Sequence, residues 1–128
     1  MIVLDENFDL VQREQWRRWR IRTRQIGGDF GRKGLKDLEI IDFLHGGRRL
    51  TFFSMDRDYY RPGWCHPGYC LIFLDVPNRQ EALYVRRLLH HPRFDTTAKR
   101  LGHVVRVNPA GLVFWRLRSD QEEQTAWP

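Results

Sequence analysis

The sequence predicts an α/β domain built on a mostly parallel central sheet flanked by helices, with an antiparallel edge at its C-terminal end. Three observations predict it. Strand-like and helix-like segments alternate along most of the chain, which is the signature of strand–helix–strand units. The run "CLIFLDV" (70–76) is apolar without alternation, as in a strand covered on both faces. Two β-rich segments, "HVVRVN" and "GLVFWRLR", flank "NPAG" and predict a closing hairpin.

The elements follow in order. "MIVLD" (1–5) reads as a short buried strand ending at an acid. In 9–19, Leu10, Val11, Trp16 and Trp19 form an imperfect helical stripe. "RIRTRQIG" (20–27) alternates and ends at a Gly pair, so it reads as a half-exposed strand. "GGDFGRKG" (27–34) is a basic, glycine-rich loop. In 37–47, Leu38, Ile41 and Leu44 make a helical face that Gly46-Gly47 ends. "RLTFFSM" (49–55) is the next strand, followed by a long aromatic loop (56–70) with two prolines. After the strand at 70–76, Asn78 and Glu81 predict a helix start, and the helix runs over 79–91 to Pro92. A helical piece at 94–101 and strands at 103–108 and 111–118 complete one domain, residues 1–118. Residues 119–128 read as a polar, loose tail.

The bulk numbers exclude several classes. A chain of 128 residues with 41% hydrophobic content can bury a core and is no disordered segment. No apolar run approaches the ~18 residues that cross a bilayer, and "MIVLDENF" lacks the basic start of a signal peptide. These features predict a soluble, cytoplasmic protein without a membrane partner. Net charge is +6, and 19 of the 22 basic residues are arginine, the side chain suited to bidentate phosphate contacts. Nucleic acid is therefore the first partner to consider, against the alternative of a cationic surface spelled as arginine. Cys65, His66 and Cys70 in "WCHPGYC" supply three zinc-capable side chains, but in no standard spacing, so two free thiols are expected.

The chemistry-bearing residues are acids. In open parallel sheets, sites form outside the carboxyl ends of the strands. Asp5 ends the first strand, Asp56 and Asp58 follow the third, and Asp37 opens the helix leading into it. If the first and third strands are neighbours, these carboxylates meet at one rim. Clustered carboxylates raise one another's pKa, and a hard divalent cation relieves that. Such an ion can generate a hydroxide and stabilise a leaving oxygen, as in phosphodiester hydrolysis. Each acid also has an ordinary reading: Asp5 as a chain cap, Asp37 as an N-cap, Asp56 and Asp58 as turn acids. Glu39 and Asp42 read as a solvated helix face. Arg17, Arg18, Arg20, Arg22 and Arg24 form either a phosphate track or a solvated surface. Tyr59, Tyr60, Trp64 and Tyr69 either stack on unpaired bases or cover the core. No histidine has a partner that marks it as a catalytic base.

The combination of "LDEN" at the first strand, Asp37 in "DLEIIDFL" and "SMDRDY" after the third strand resembles the PIN-like domain family, compact nucleases related to VapC-type toxins. Ser54 stands where the family has Thr, and Tyr59 where it has Phe. The likeness covers about residues 1–75. It implies a PIN-like three-layer fold and a metal-dependent ribonuclease, the toxin of a toxin–antitoxin pair. Asp5, Asp37, Asp56 and Asp58 would be catalytic and would hold Mg²⁺ or Mn²⁺, with Asp56 or Asp58 orienting the attacking water. Arg22, Arg24, Arg32, Lys33, Arg57 and Arg61 would bind RNA phosphates. The implied partners are RNA, a cognate antitoxin and a second copy in a homodimer. The competing class is a non-catalytic RNA-binding or protein-interaction module, and a DNA-directed nuclease or a phosphatase of similar fold is a third.

Overall fold

The computed structural model describes residues 1–5, 8, 10–26 and 37–128, with residues 10, 37 and 38 described by backbone alone. Their order is β1 (Ile2–Leu4), α1 (Leu10–Arg18), β2 (Thr23–Gln25), α2 (Asp37–Gly46), β3 (Leu50–Ser54), β4 (Tyr69–Leu74), α3 (Glu81–Leu89), α4 (Thr97–Arg100), β5 (His103–Asn108), β6 (Gly111–Arg116) and β7 (Glu123–Ala126). The strands form one sheet in the order β2-β1-β3-β4-β5-β6-β7. The first five run parallel, and β6 and β7 are antiparallel. The expected α/β architecture with an antiparallel C-terminal edge is present. No helix of the described residues is long and apolar enough to cross a membrane.

Alternation along the strands builds two cores. Leu4, Phe53, Ile72 and Val105 face α1 and α3, where Trp16, Val85 and Leu88 pack. Val3, Phe52, Leu71 and Val104 face α2, where Ile40, Ile41 and Leu44 pack. The β3–β4 connection carries no α-helix. Two 3₁₀ turns, Arg57–Tyr59 and Pro62–Trp64, replace it. Tyr59 is buried there, edge-on to Phe52 at 5.2 Å, and Tyr69 is buried beside it in the same core. These aromatics cover the core, the ordinary one of the two expected roles.

Handedness sets the β4–β5 connection apart. The step from β1 to β2 moves one way across the sheet with its helix on one face; the steps from β2 to β3 and β3 to β4 move the other way on the opposite face. These three connections share one hand. The step from β4 to β5 continues in the second direction, yet α3 sits on the α1 face, so its hand is opposite. Given the strong right-handed rule for such crossovers, this one is the left-handed exception. Its anchor is the start of α3. The Gln12 Oε1 accepts from the Ala82 N–H at 2.9 Å, and its Nε2 donates to the Arg79 carbonyl at 3.1 Å. One turn along α1, Trp16 Nε1 donates to the Ala82 carbonyl at 3.0 Å.

This contact also corrects the expected helix start. The helix opens at Glu81 and not at 79, Gln80 makes no side-chain cap, and Gln12 fills that role from a distance. The expected strand at 20–27 is shorter for a local reason. Ile21 N donates to the Trp16 carbonyl and Arg20 N to the Arg17 carbonyl, both at 2.9 Å, so a Schellman turn takes up 19–21 before β2 begins. The tail is not loose: Glu123–Ala126 pair with β6 as β7. Trp127 holds it down, donating to the Asn108 carbonyl at 3.0 Å and lying under the Arg87 guanidinium, 4.3 Å from ring centre. Gly111 allows β7 to approach, because a Cβ there would lie 2.6 Å from the Thr125 oxygen.

Two predictions follow from this packing. Gln12→Ala leaves the Ala82 N–H buried without its acceptor and lowers stability by about 1–3 kcal/mol. Urea unfolding measures it as a lower midpoint with an unchanged slope; an unmoved midpoint would show the link contributes nothing. His103 packs edge-on to Phe94 at 5.3 Å, with Nδ1 3.1 Å from the Arg100 carbonyl. Burial, aided by Arg93 and Arg116, holds its pKa below 6.5, although the Leu101 and Arg100 carbonyls oppose this. The folded state then binds fewer protons, so this stability is present above about pH 6.5 and is lost as pH falls through the folded pKa. The melting temperature should fall between pH 7 and 5 less steeply in His103→Gln than in the wild type.

Candidate functional site

The sheet order reverses between β1 and β3: the chain leaves β1 for β2 on one side and returns to β3 on the other. In open α/β sheets this switch point opens a crevice at the strands' carboxyl ends. Asp5 follows β1 there, and Ser54 ends β3. The condition set from sequence, that the first and third strands be neighbours, is met.

Asp5 is 7% exposed and Ser54 fully buried. Asp5 N donates to the Phe53 carbonyl at 3.0 Å, which continues the β1–β3 pairing past the strand end. Ser54 Oγ donates to Asp5 Oδ2 at 2.7 Å and accepts from Asp56 N at 3.0 Å. The hydroxyl has one proton, so these two bonds fix its direction. Asp56 Oδ1 then accepts from Asp58 N at 2.9 Å, capping the 3₁₀ turn Arg57–Tyr59. Asp5, Ser54, Asp56 and the Asp58 backbone thus form one hydrogen-bonded series. Asp56 and Asp58 are exposed.

Two residues that carry this geometry were not singled out by chemistry in the sequence. Ser54 is the bridge, and its signal is the Ser-x-Asp spacing, which lets a hydroxyl accept from the backbone two residues on. Gln25 is the second. It is buried, donates to the Asp5 carbonyl at 3.3 Å and the Phe8 carbonyl at 3.0 Å, and accepts from Arg13 Nη1 at 3.3 Å. It ties the backbone of Asp5 to that of Phe8. A buried amide on a three-residue strand leaves no readable pattern.

The remaining expected site residues do not add to this series among the described residues. Asp37 opens α2, but its side chain lies outside the described residues, as do Arg32 and Lys33 entirely. Arg57 is exposed on the turn after β3. Arg61 is engaged locally: its Nε donates to the Asp58 carbonyl at 2.9 Å and its guanidinium lies 4.9 Å from the Trp64 ring centre. Arg22 and Arg24 lie at and before β2 and line a cavity with Arg13, Arg17 and Arg20, away from the carboxyl rim.

The donor set at the rim is all hard oxygen, which suits Mg²⁺ or Mn²⁺ in type. Among the described residues, however, no three His, Cys, Asp or Glu side chains stand together as a metal-holding group. The cysteines do not assemble a zinc site, because they sit on opposite faces. Cys70 is buried on the α1 and α3 side, and Cys65 packs on the α2 side. Both thiols are free, and burial pushes both pKa values up.

No protein-family model, curated protein or solved structure matched the chain. The likeness to PIN-like domains rests on the motif residues alone.

The Ser54 bridge carries a direct prediction. Ser54→Ala removes the donor to a buried carboxylate, a charge-assisted bond worth about 1.5–3 kcal/mol. Urea unfolding at pH 7 should show that loss, and an unmoved midpoint would mean that the bond makes no net contribution.

Proposed function

We propose that the protein is a metal-dependent phosphodiesterase that cleaves RNA, with its reaction centre at the β1–β3 crevice. The observation that carries this reading is the buried Asp5 carboxylate, oriented by Ser54 at the switch point and followed within the same hydrogen-bonded series by the exposed Asp56 and Asp58. A Mg²⁺ or Mn²⁺ ion held by Asp5, Asp37, Asp56 and Asp58 would lower the pKa of a bound water and stabilise the leaving oxygen. In this reading the chain's own residues divide the work. Ser54 keeps the Asp5 carboxylate fixed. Asp56 or Asp58 accepts a hydrogen bond from the attacking water and orients it. Arg57, exposed between them, contacts a substrate phosphate. The motif likeness extends the proposal to a toxin of a toxin–antitoxin pair, with a small antitoxin as protein partner.

A second reading, a non-catalytic RNA-binding or interaction module, is favoured by one observation. Among the described residues the carboxylates do not converge as a metal-holding group.

Cleavage of mixed single-stranded and transfer RNA separates the two. The nuclease reading expects cleavage with Mg²⁺ or Mn²⁺ and none with EDTA. Asp56→Asn keeps an acceptor for the Asp58 N–H, so the turn holds, while the charge is lost. It and Asp5→Asn should each lower the rate by about 10²–10³-fold, the scale of losing one electrostatic group at a reaction centre. Cleavage at an unchanged rate in both variants would sink the assignment of the rim, and salt-sensitive binding without metal-dependent cleavage would favour the module.

A further inference from the structure

A cavity of about 890 Å³ lies beside β1 and β2, toward the end of the strands opposite the acid rim. Five arginines line it: Arg13, Arg17, Arg20, Arg22 and Arg24. Ile2 and Ile21 give it an apolar wall, and no carboxylate is among the described residues lining it. The local structure explains the convergence. Arg13 and Arg17 are four residues apart, on one face of α1. Arg22 and Arg24 are two apart, on one side of an extended chain. Arg20 joins the two pairs from the turn that ends α1.

Apart from Arg13, the arginines carry little compensation among the described residues. Arg17 meets Glu14 at 3.5 Å, but both side chains are largely in water and such a pair contributes little. Arg13 is partnered, in part by the neutral Gln25. Met1 lines the same space; its ammonium donates to the Arg49 carbonyl at 3.1 Å, and burial together with Arg100 and Arg49 holds its pKa below the ordinary value. Arg20 has φ +61°, the left-handed conformation at which a helix-ending Schellman turn ordinarily places glycine, and Arg49, Arg79 and Arg118, outside the cavity, share that region. An arginine at that position costs stability that glycine would not.

We propose that this cavity binds backbone phosphates of a single-stranded nucleic acid, with Arg17, Arg20 and Arg22 as its principal contacts. The cavity is concave and of single-ligand size, whereas a duplex presents its phosphates on a wide convex surface. It is also connected to the acid rim: Arg13 bonds Gln25, and Gln25 bonds the Asp5 carbonyl. Ile2 and Asp5 are separated by about 10 Å of extended chain, so one strand of nucleic acid can reach both. The choice of RNA rests on the nuclease reading above, but binding at the cavity requires neither metal nor cleavage.

The test is fluorescence anisotropy of a short labelled single-stranded RNA with the full chain in EDTA, titrated with salt. Wild type should bind with a salt-dependent affinity. Arg17→Glu with Arg22→Glu should weaken binding by about 10- to 100-fold and reduce the log–log salt slope by about 1.4, two contacts at about 0.7 each. Arg20→Gly should weaken binding several-fold with a melting temperature equal to or above wild type. That pairing separates a binding role from a structural one. EDTA keeps divalent ions from the rim, which makes this test independent of cleavage there. Unchanged affinity and slope in Arg20→Gly and in the folded double variant would overturn the proposal. So would equal affinity for duplex DNA, or tight binding of inorganic triphosphate with no binding of RNA.

Discussion

Gln12 and Trp16, one turn apart on α1, hold the first turn of α3 by both its N–H and its carbonyl groups. The start of α3 is where the chain commits the β4–β5 connection to a face of the sheet. The common hand of crossover would carry α3 to the α2 face. There the 3₁₀ turns and the aromatic side chains of 59–69 already occupy the space beside α2. On the α1 face, Trp16 is fully buried, and Ala82, Val85 and Leu88 complete its surroundings. The unusual hand thus follows from where the apolar surface is, and the polar contact from Gln12 supplies the missing cap. The same placement leaves α1 wedged between α3 and the β2 edge, which positions both Gln25 under Asp5 and the arginine side of α1 along β2.

Strand polarity then sorts the charges. Five parallel strands point one way, so the helices joining them run back and end at the strands' amino ends. Cations are favoured at helix C-termini, and α1 ends in Arg17 and Arg18, α3 in Arg86 and Arg87, and α4 in Lys99 and Arg100. Arg100 is buried without a carboxylate bond, donating to Thr51, Thr97 and the Phe94 carbonyl. The acids collect at the other end, where Asp5, Asp56 and Asp58 follow their strands and Asp75 pairs with Arg106 at 2.5 Å. Part of the arginine content is therefore architectural. The cavity beside β2 stands out because five arginines share one concave space there.

The sequence carried the layer order well, because apolar runs such as "CLIFLDV" and the helical face of 37–47 answer to local pattern. It also carried the acids' addresses, since strand ends are local features. What it did not carry depends on distant partners. The start of α3 was misplaced because its cap comes from Gln12, some seventy residues earlier. The tail read as loose because its composition is polar, while its order comes from pairing to β6, from Trp127 and from the bonds of Glu122 and Glu123 to Tyr60, Arg93 and Arg116. Gln25 was invisible for the same reason: its partners are backbone groups of residues 5 and 8. The two cysteines looked close in sequence, yet the alternation of β4 sends Cys70 to one core and leaves Cys65 with the other.

The acids Asp56 and Asp58 read as frustrated in the sequence, two carboxylates flanking one arginine. Their geometry makes that frustration small. Both are exposed, and unit charges a few ångströms apart in water repel by only about 1 kcal/mol. One Asp56 oxygen is further stabilised by the Asp58 N–H. Their proximity therefore does not require a cation. Asp5 is the demanding group, because a buried carboxylate loses hydration that neighbouring donors must replace. Ser54 gives it the one proton a hydroxyl has, and so must accept from Asp56. The three residues are consequently not independent. Whatever changes the charge borne at Asp5, an ion or a proton, changes the strength of the Ser54 bond and, through it, the hold on the Asp56 backbone at the crevice. The buried acid sets the geometry, and the exposed pair remains free to meet a ligand.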